Sequence, residues 1–189
     1  MKNLINNIKK HIDVGPILES ELMANFKFIT IRKGELVVRE GQYNVELFYV
    51  ASGILRCYNL KDGKDVTNDF FFEDTFFTDY GALLNNRPAS QYFEAIEDAG
   101  LYKISRDRLI ELSGKYPELK TWGGKMAEQL FTQSIAKQSK LKADSPKERY
   151  LSILDDTPQI IQRIPLSLIA SYLGITPVHL SRIRKDLRE

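Results

Sequence analysis

The sequence has little of what most catalytic and metal centres are built from. Its one cysteine, Cys57, excludes an internal disulfide and any Cys-x-x-Cys redox or zinc pair. The two histidines, His11 and His179, lie far apart and in neither a His-x-x-x-His nor a His-Glu pattern, so no metal site is expected. No Gly-x-x-x-x-Gly-Lys-Ser/Thr loop, Gly-x-Gly-x-x-Gly turn or Gly-x-Ser-x-Gly elbow occurs. The adjacent carboxylates Glu73-Asp74 stand beside a turn, where such groups are usually solvated. An enzyme is not expected. Uninterrupted apolar runs are only a few residues long, against the roughly 18–20 that a membrane span needs. Met1 to Ile12 carries lysines without the apolar stretch of a signal peptide. These absences predict a soluble, cytoplasmic protein with no membrane partner.

What is present is enough for a folded core, since 43% of the 189 residues are hydrophobic. The net charge is only +2, but it is unevenly placed. Residues 1–115 carry 15 basic and 17 acidic side chains, whereas residues 116–189 carry 12 and 8. A mildly acidic part joined to a basic one directs any polyanionic partner to the C-terminal part.

From Phe26 to Ile104 the pattern is short strands and turns. Phe28 to Ile31, Leu36 to Val38, Leu47 to Val50, Ile54 to Tyr58, Val66 to Phe72 and Tyr92 to Ile96 are β-branched or aromatic runs. Lys33-Gly34, Glu40-Gly41, Ser52-Gly53 and Lys61-Asp62-Gly63 punctuate them. Strands this short and regular predict a sandwich or barrel. Nine of the ten phenylalanines fall between Phe26 and Phe93, enough to fill much of its interior. Cys57 sits in one of these runs and reads as a packing residue, with a redox thiol as the alternative.

Beyond Ser105 the texture becomes helical. Pro117 suits the first turn of a long helix reaching about Ala143. Gly123-Gly124 weakens that helix by about 1 kcal/mol per glycine, or marks a close contact with another helix. Two apolar stripes run along it. One is Leu119, Trp122, Met126 and Leu130, near coiled-coil spacing; the other is Ala127, Phe131 and Ile135. Two stripes mean two surfaces to cover, one on the chain's own β-domain and one on a partner's matching helix. The first stripe is taken as the dimer face, with burial of both inside one subunit as the alternative. Ser145-Pro146 then reads as a cap and first turn of the next helix.

The most informative stretch is Pro165 to Leu187. Leu166, Ile169, Ala170 and Leu173 recur at i, i+3, i+4 and i+7 of a first helix. Gly174 supplies a left-handed residue at its end, and Thr176-Pro177 caps and starts a second helix. On that second helix Leu180, Ile183 and Leu187 point to the core, while Val178, Ser181, Arg182, Lys185 and Arg188 point outward. Two short helices joined by a tight turn, the second with a basic free face, read as a helix-turn-helix.

Here the sequence resembles the Crp/Fnr family of bacterial regulators over nearly its whole length. The resemblance is carried by Lys33-Gly34-Glu35 with Gly41, by Tyr49 to Gly53, by Asp62-Gly63-Lys64 and by the C-terminal motif. It implies an α+β chain with three parts. These are a jelly-roll-like β-roll (double-stranded β-helix) over residues 1–116, a dimerisation helix over 117–143 and a helix-turn-helix domain over 144–189. It also implies double-stranded DNA, a second copy of the chain, RNA polymerase and a small-molecule effector as partners. The family often reads bases with Glu, Ser and Arg. Ser181 and Arg182 match the last two, and Val178 stands at the Glu position. The chain ends just after this helix, so the family's C-terminal wing has no residues here. Phosphate contacts are therefore expected from Thr176, His179, Lys185, Arg188, Arg163 and Lys147.

The resemblance also implies a cassette for a cyclic nucleotide, with Gly and Glu at the ribose and Arg and a hydroxyl at the phosphate. Counting back from Ala95, these positions hold Thr78, Asp79, Ala89 and Ser90. Ala89 offers no charge to pair a buried phosphate, and Arg87 lies two residues upstream as a substitute. No cofactor is expected. A β-roll that binds a ligand, joined to a helix-turn-helix without specific DNA binding, is the alternative reading of the whole chain.

Overall fold

The computed structural model describes residues 1–43 and 46–187. Two helices open the chain, α1 (Lys2–Lys9) and α2 (Pro16–Asn25). Eight strands follow: β1 (Lys27–Ile31), β2 (Leu36–Val38), β3 (Glu46–Ser52), β4 (Leu55–Lys61), β5 (Lys64–Phe71), β6 (Phe76–Phe77), β7 (Tyr92–Ala95) and β8 (Ala99–Ser105). A short helix, α3 (Tyr80–Asn85), lies between β6 and β7. Then come α4 (Arg106–Lys115), α5 (Pro117–Ala143), α6 (Pro146–Asp156), α7 (Ile160–Arg163), α8 (Leu166–Tyr172) and α9 (Pro177–Asp186). The strands form two four-stranded sheets, ordered β1-β8-β3-β6 and β2-β7-β4-β5. The architecture is the expected α+β one, a β-roll followed by a long helix and further helices. No helix among the described residues is long and apolar enough to cross a membrane.

Alternation along the strands divides the roll's core in two. Successive side chains of a strand point to opposite faces. On β3, Phe48 and Val50 therefore face the roll's interior, whereas Leu47 and Tyr49 face the helices. The adjacent pair Phe76 and Phe77 splits the same way. Inside, Phe48, Phe71, Phe77 and Phe93 stack with ring centroids 5.0–5.8 Å apart. Cys57 is buried on β4 within this aromatic cluster, a packing residue. Outside, Leu4, Ile8, Leu18 and Leu22 of α1 and α2 cover Leu47, Tyr49 and Ile104. Local patterning alone does not mark α1, α2, α3, α7, β6 or β8.

Turn chemistry holds the roll where strands meet closely. Gly53 has φ +86°, and a Cβ there would lie 2.6 Å from the Asp98 carbonyl oxygen. Only glycine fits both the left-handed backbone and that approach.

The chain groups into two compact units. The first comprises residues 1–58 and 70–128, the second residues 59–69 and 129–189. This differs from a division at 116 and 143 in two ways. The long helix α5 is shared between the units, and the tip of the β4–β5 hairpin belongs with the C-terminal helices. Packing of side chains far apart in the chain decides such a grouping, and periodicity does not register it.

Candidate functional site

The helix pair α8–α9 is built by local signals that agree with one another. Gly174, at φ +68°, closes α8 in a Schellman arrangement. The Ile175 amide donates to the Ala170 carbonyl and the Gly174 amide to the Ser171 carbonyl, each at 3.0 Å. Thr176 then caps α9, its hydroxyl oxygen accepting from the His179 amide at 3.2 Å, with Pro177 in the first turn. Ile169, Ala170, Leu173, Leu180 and Ile183 are buried between the helices and their neighbours. The small Ala170 permits the close crossing. Leu187, expected in the core, is 38% exposed at the C-cap of α9, past its last helical turn.

The outward face of α9 carries Val178, Ser181, Arg182 and Lys185, all exposed, with Val178 at 63%. Of the remaining phosphate candidates, His179 and Lys147 are exposed, Arg163 is half-buried at the end of α7, and Thr176 is partly committed to its cap. Arg188 lies outside the described residues. Lys147 stands in the first turn of α6, where Ser145 and Glu148 form a reciprocal capping box. The Ser145 hydroxyl and amide hold the Glu148 carboxyl below the usual carboxylate range.

The cassette of the roll is closed from within. Thr78 and Asp79 are buried, at 6% and 4% exposure. Asp79 caps α3, one carboxylate oxygen accepting from the Ala82 amide at 3.0 Å. Its other oxygen accepts from both the amide and the hydroxyl of Ser90, each at 2.7 Å. The Thr78 hydroxyl donates to the Glu46 carbonyl at 2.8 Å. Ala89 is buried in the aromatic cluster, and Arg87 is exposed. Arg56, a buried arginine on β4, is paired with Glu94 directly across on β7 at 2.7 Å and lies over the Tyr58 ring. The hydroxyl and amide at Ser90 are thus met by a carboxylate of the chain itself.

Residues 28–116 match the family model of the cyclic nucleotide-binding domain. No curated protein sequence matches the chain significantly. Solved structures with the same fold include FixK2 from Bradyrhizobium japonicum, 20% identical, TM-score 0.74, covering 86% of this chain and 84% of its own. The regulator CLP of Xanthomonas campestris, described as responsive to c-di-GMP, is 18% identical, with TM-score 0.71 and 90% of each chain covered. A CooA variant from Carboxydothermus hydrogenoformans is 17% identical at TM-score 0.72, covering 93% of this chain and 84% of its own. A further neighbour, described as a putative transcriptional regulator of the Crp/Fnr family from Eubacterium rectale, is 18% identical at TM-score 0.74, covering 93% of this chain and 84% of its own.

Behind the β-roll, the long helix does not offer all of the stripe expected of it. Leu119 and Trp122 are each only 2% exposed. They pack into the roll unit's own outer cluster, Trp122 edge-on to Phe76 at 5.0 Å between centroids. Met126 lies partly buried against the same cluster, and Leu130 is half-buried. Leu119 and Trp122, expected at a dimer interface, are thus buried within their own subunit and cannot meet a second copy, whereas Met126 and Leu130 keep part of their surface open. The exposed apolar face is the other one, with Phe131 at 68%, Ile135 at 52% and Ala127 beside them. A Cβ added at Gly123 or Gly124 would meet open space, so neither glycine serves a close contact among the described residues.

Sequence reasoning missed the polar groups that fasten the helix pair. Arg149 on α6 donates to the Asp144 carbonyl at 2.8 Å and to the Leu173 carbonyl, at the end of α8, at 3.0 Å. Ser171 of α8 bonds to Thr67 and Asp65 of β5, and Lys137 of α5 lies over Tyr172 of α8. The Arg149–Leu173 and Ser171–Asp65 bonds join positions 24 and 106 residues apart, and no local pattern signals such pairings.

Proposed function

We propose that this chain is a DNA-binding transcription regulator of the Crp/Fnr type, acting on a roughly palindromic operator as a homodimer. One observation carries the reading: α9 buries Leu180 and Ile183 while presenting Val178, Ser181, Arg182 and Lys185 along its free face. A helix so presented fits the major groove, its N-terminal half towards the base edges. Arg182, less than two turns from the Thr176 cap, can reach O6 and N7 of a guanine, a contact worth about 1–3 kcal/mol of discrimination. Val178 offers methyl groups to a thymine methyl and accepts no hydrogen bond.

Binding-site selection from random duplex DNA tests this. Arg182→Ala is expected to lose preference at one G·C pair per half-site. Lys185→Ala should weaken all sequences alike and flatten the salt dependence, as phosphate contacts do. If Arg182→Ala keeps the wild-type motif and loses only overall affinity, Arg182 is a phosphate anchor and this docking is wrong. Absence of any selected motif would favour a β-roll whose helix pair does not read DNA.

The proposal includes a roll that takes no cyclic nucleotide. A phosphate at Ser90 would have to displace Asp79 from two hydrogen bonds or lie beside its carboxylate without the arginine that position 89 lacks. Millimolar cyclic AMP is expected to leave both the melting temperature and the DNA affinity unchanged. Ligand at about 100 times its Kd would add about 2.7 kcal/mol of stability. A thermal shift with cyclic AMP but not with linear AMP would overturn this and make Arg87 the substitute ligand.

A further inference from the structure

The second unit contains a polar junction that the reading of α9 does not use. Among the described residues β5 is an edge strand paired with β4, so alternate residues turn their amide and carbonyl groups away from β4. Asp65 and Thr67, two residues apart, do so together. One side chain meets both. The Ser171 hydroxyl oxygen accepts from the Thr67 amide at 3.0 Å and its hydrogen goes to the Asp65 carbonyl at 3.4 Å. Thr67 is 3% exposed. The next residue of α8, Tyr172, lies under the Lys137 ammonium, 4.2 Å from its ring centroid. Lys137, on α5, also donates to the Asn68 carbonyl and stands 3.5 Å from the Asp69 carboxylate. The final turn of α8 is thus held against the hairpin edge by Ser171 and by an ammonium shared between α5, α8 and β5.

We infer that Ser171 and Lys137 are positioning residues for DNA recognition, seating the α8–α9 pair on the tip of the β4–β5 hairpin so that the reading helix is presented at one angle. The inference rests on the proposed homodimer binding two half-sites. Reading a single half-site needs only the face of α9, whereas reading two at once needs each helix pair to be fixed within its subunit. A backbone amide and carbonyl on a strand edge are a rigid seat. A lone hydroxyl engaging both as acceptor and donor specifies the orientation of α8, not merely its proximity. Removing it leaves the Thr67 amide without that acceptor, while the apolar contacts of Ile169, Ala170 and Leu173 still hold the helix pair together.

The experiment uses the full chain, wild type and the variants Ser171→Ala, Ser171→Thr and Lys137→Met. Each is titrated with operator duplexes in which the half-site spacing is changed by one base pair, about a tenth of a turn. Wild type is expected to lose affinity about tenfold or more on such a change, and Ser171→Ala and Lys137→Met less than about threefold, with Ser171→Thr restoring the wild-type penalty. Affinity for a single half-site should stay within about twofold of wild type in all four proteins. Hydrogen exchange supplies a readout without DNA: the Thr67 amide should be protected in wild type and in Ser171→Thr and exchange faster in Ser171→Ala. Equal spacing penalties in wild type and Ser171→Ala, or an unprotected Thr67 amide in wild type, overturn the inference while leaving the DNA-binding reading standing. Absence of sequence-specific binding by wild type overturns both.

Discussion

Trp122→Ala is expected to lower the unfolding free energy of the roll unit by about 3–5 kcal/mol, the range for emptying a buried tryptophan site. Trp122 is 2% exposed and lies among Leu4, Leu18, Leu22, Phe76 and Leu119, which come from four separate segments of the chain. Nothing nearby can swing into the space without leaving its own contacts, so the cavity persists and the cost falls in the upper part of the range. The loss should be independent of protein concentration, because these contacts lie within one chain. Chemical denaturation at two protein concentrations tenfold apart checks both points. A loss below about 1 kcal/mol, or one that shrinks as protein is concentrated, would return Trp122 to an intersubunit surface.

The second large effect is expected on assembly. Phe131→Asp combined with Ile135→Asp should convert the proposed dimer to a monomer at micromolar concentration, with little change in the unfolding of the separate chain. Both side chains are more than half exposed, so their replacement empties no core. In a two-fold interface every contact occurs twice. At roughly 1.5–3 kcal/mol for each fully buried side chain, four buried groups contribute at least about 6 kcal/mol, or more than four orders of magnitude in the dimer dissociation constant. Buried carboxylates in their place would add a desolvation cost. Light scattering and operator titration together are the measurement. A monomeric wild type, with or without DNA, would sink the dimer; a double variant that stays dimeric would place the interface elsewhere.

The two substitutions lie on one helix, yet their expected effects differ in kind. The difference comes from which stripe of α5 the roll unit has taken. Both stripes have a spacing suited to helix packing, and the tryptophan-bearing one looks the better seam when read alone. Tertiary structure packs its Leu119, Trp122 and Met126 with α1, α2 and Phe76 in one cluster drawn from distant segments.

Short-range physical chemistry was legible in the sequence. Strands β1 to β5 and β7 follow from β-branched and aromatic runs between glycine turns, and the start of α5 from Pro117. The caps at Ser145 and Thr176 and the left-handed Gly174 stand where residue type alone placed them. So does the divided face of α9, since burial of Leu180 and Ile183 with exposure of Ser181 and Arg182 is a consequence of a 3.6-residue period. Each of these depends on residues within about one turn of one another. What only the tertiary structure decided depends on pairings at long separation. It gave Asp79 the Ser90 hydroxyl, Arg149 the Leu173 carbonyl, and Ser171 the edge of β5. Asp79, Arg149 and Ser171 are ordinary polar residues in the sequence, and their partners lie 11, 24 and 104 residues away. A buried polar group must find a partner, but the identity of that partner is set by which segments the packed core brings together.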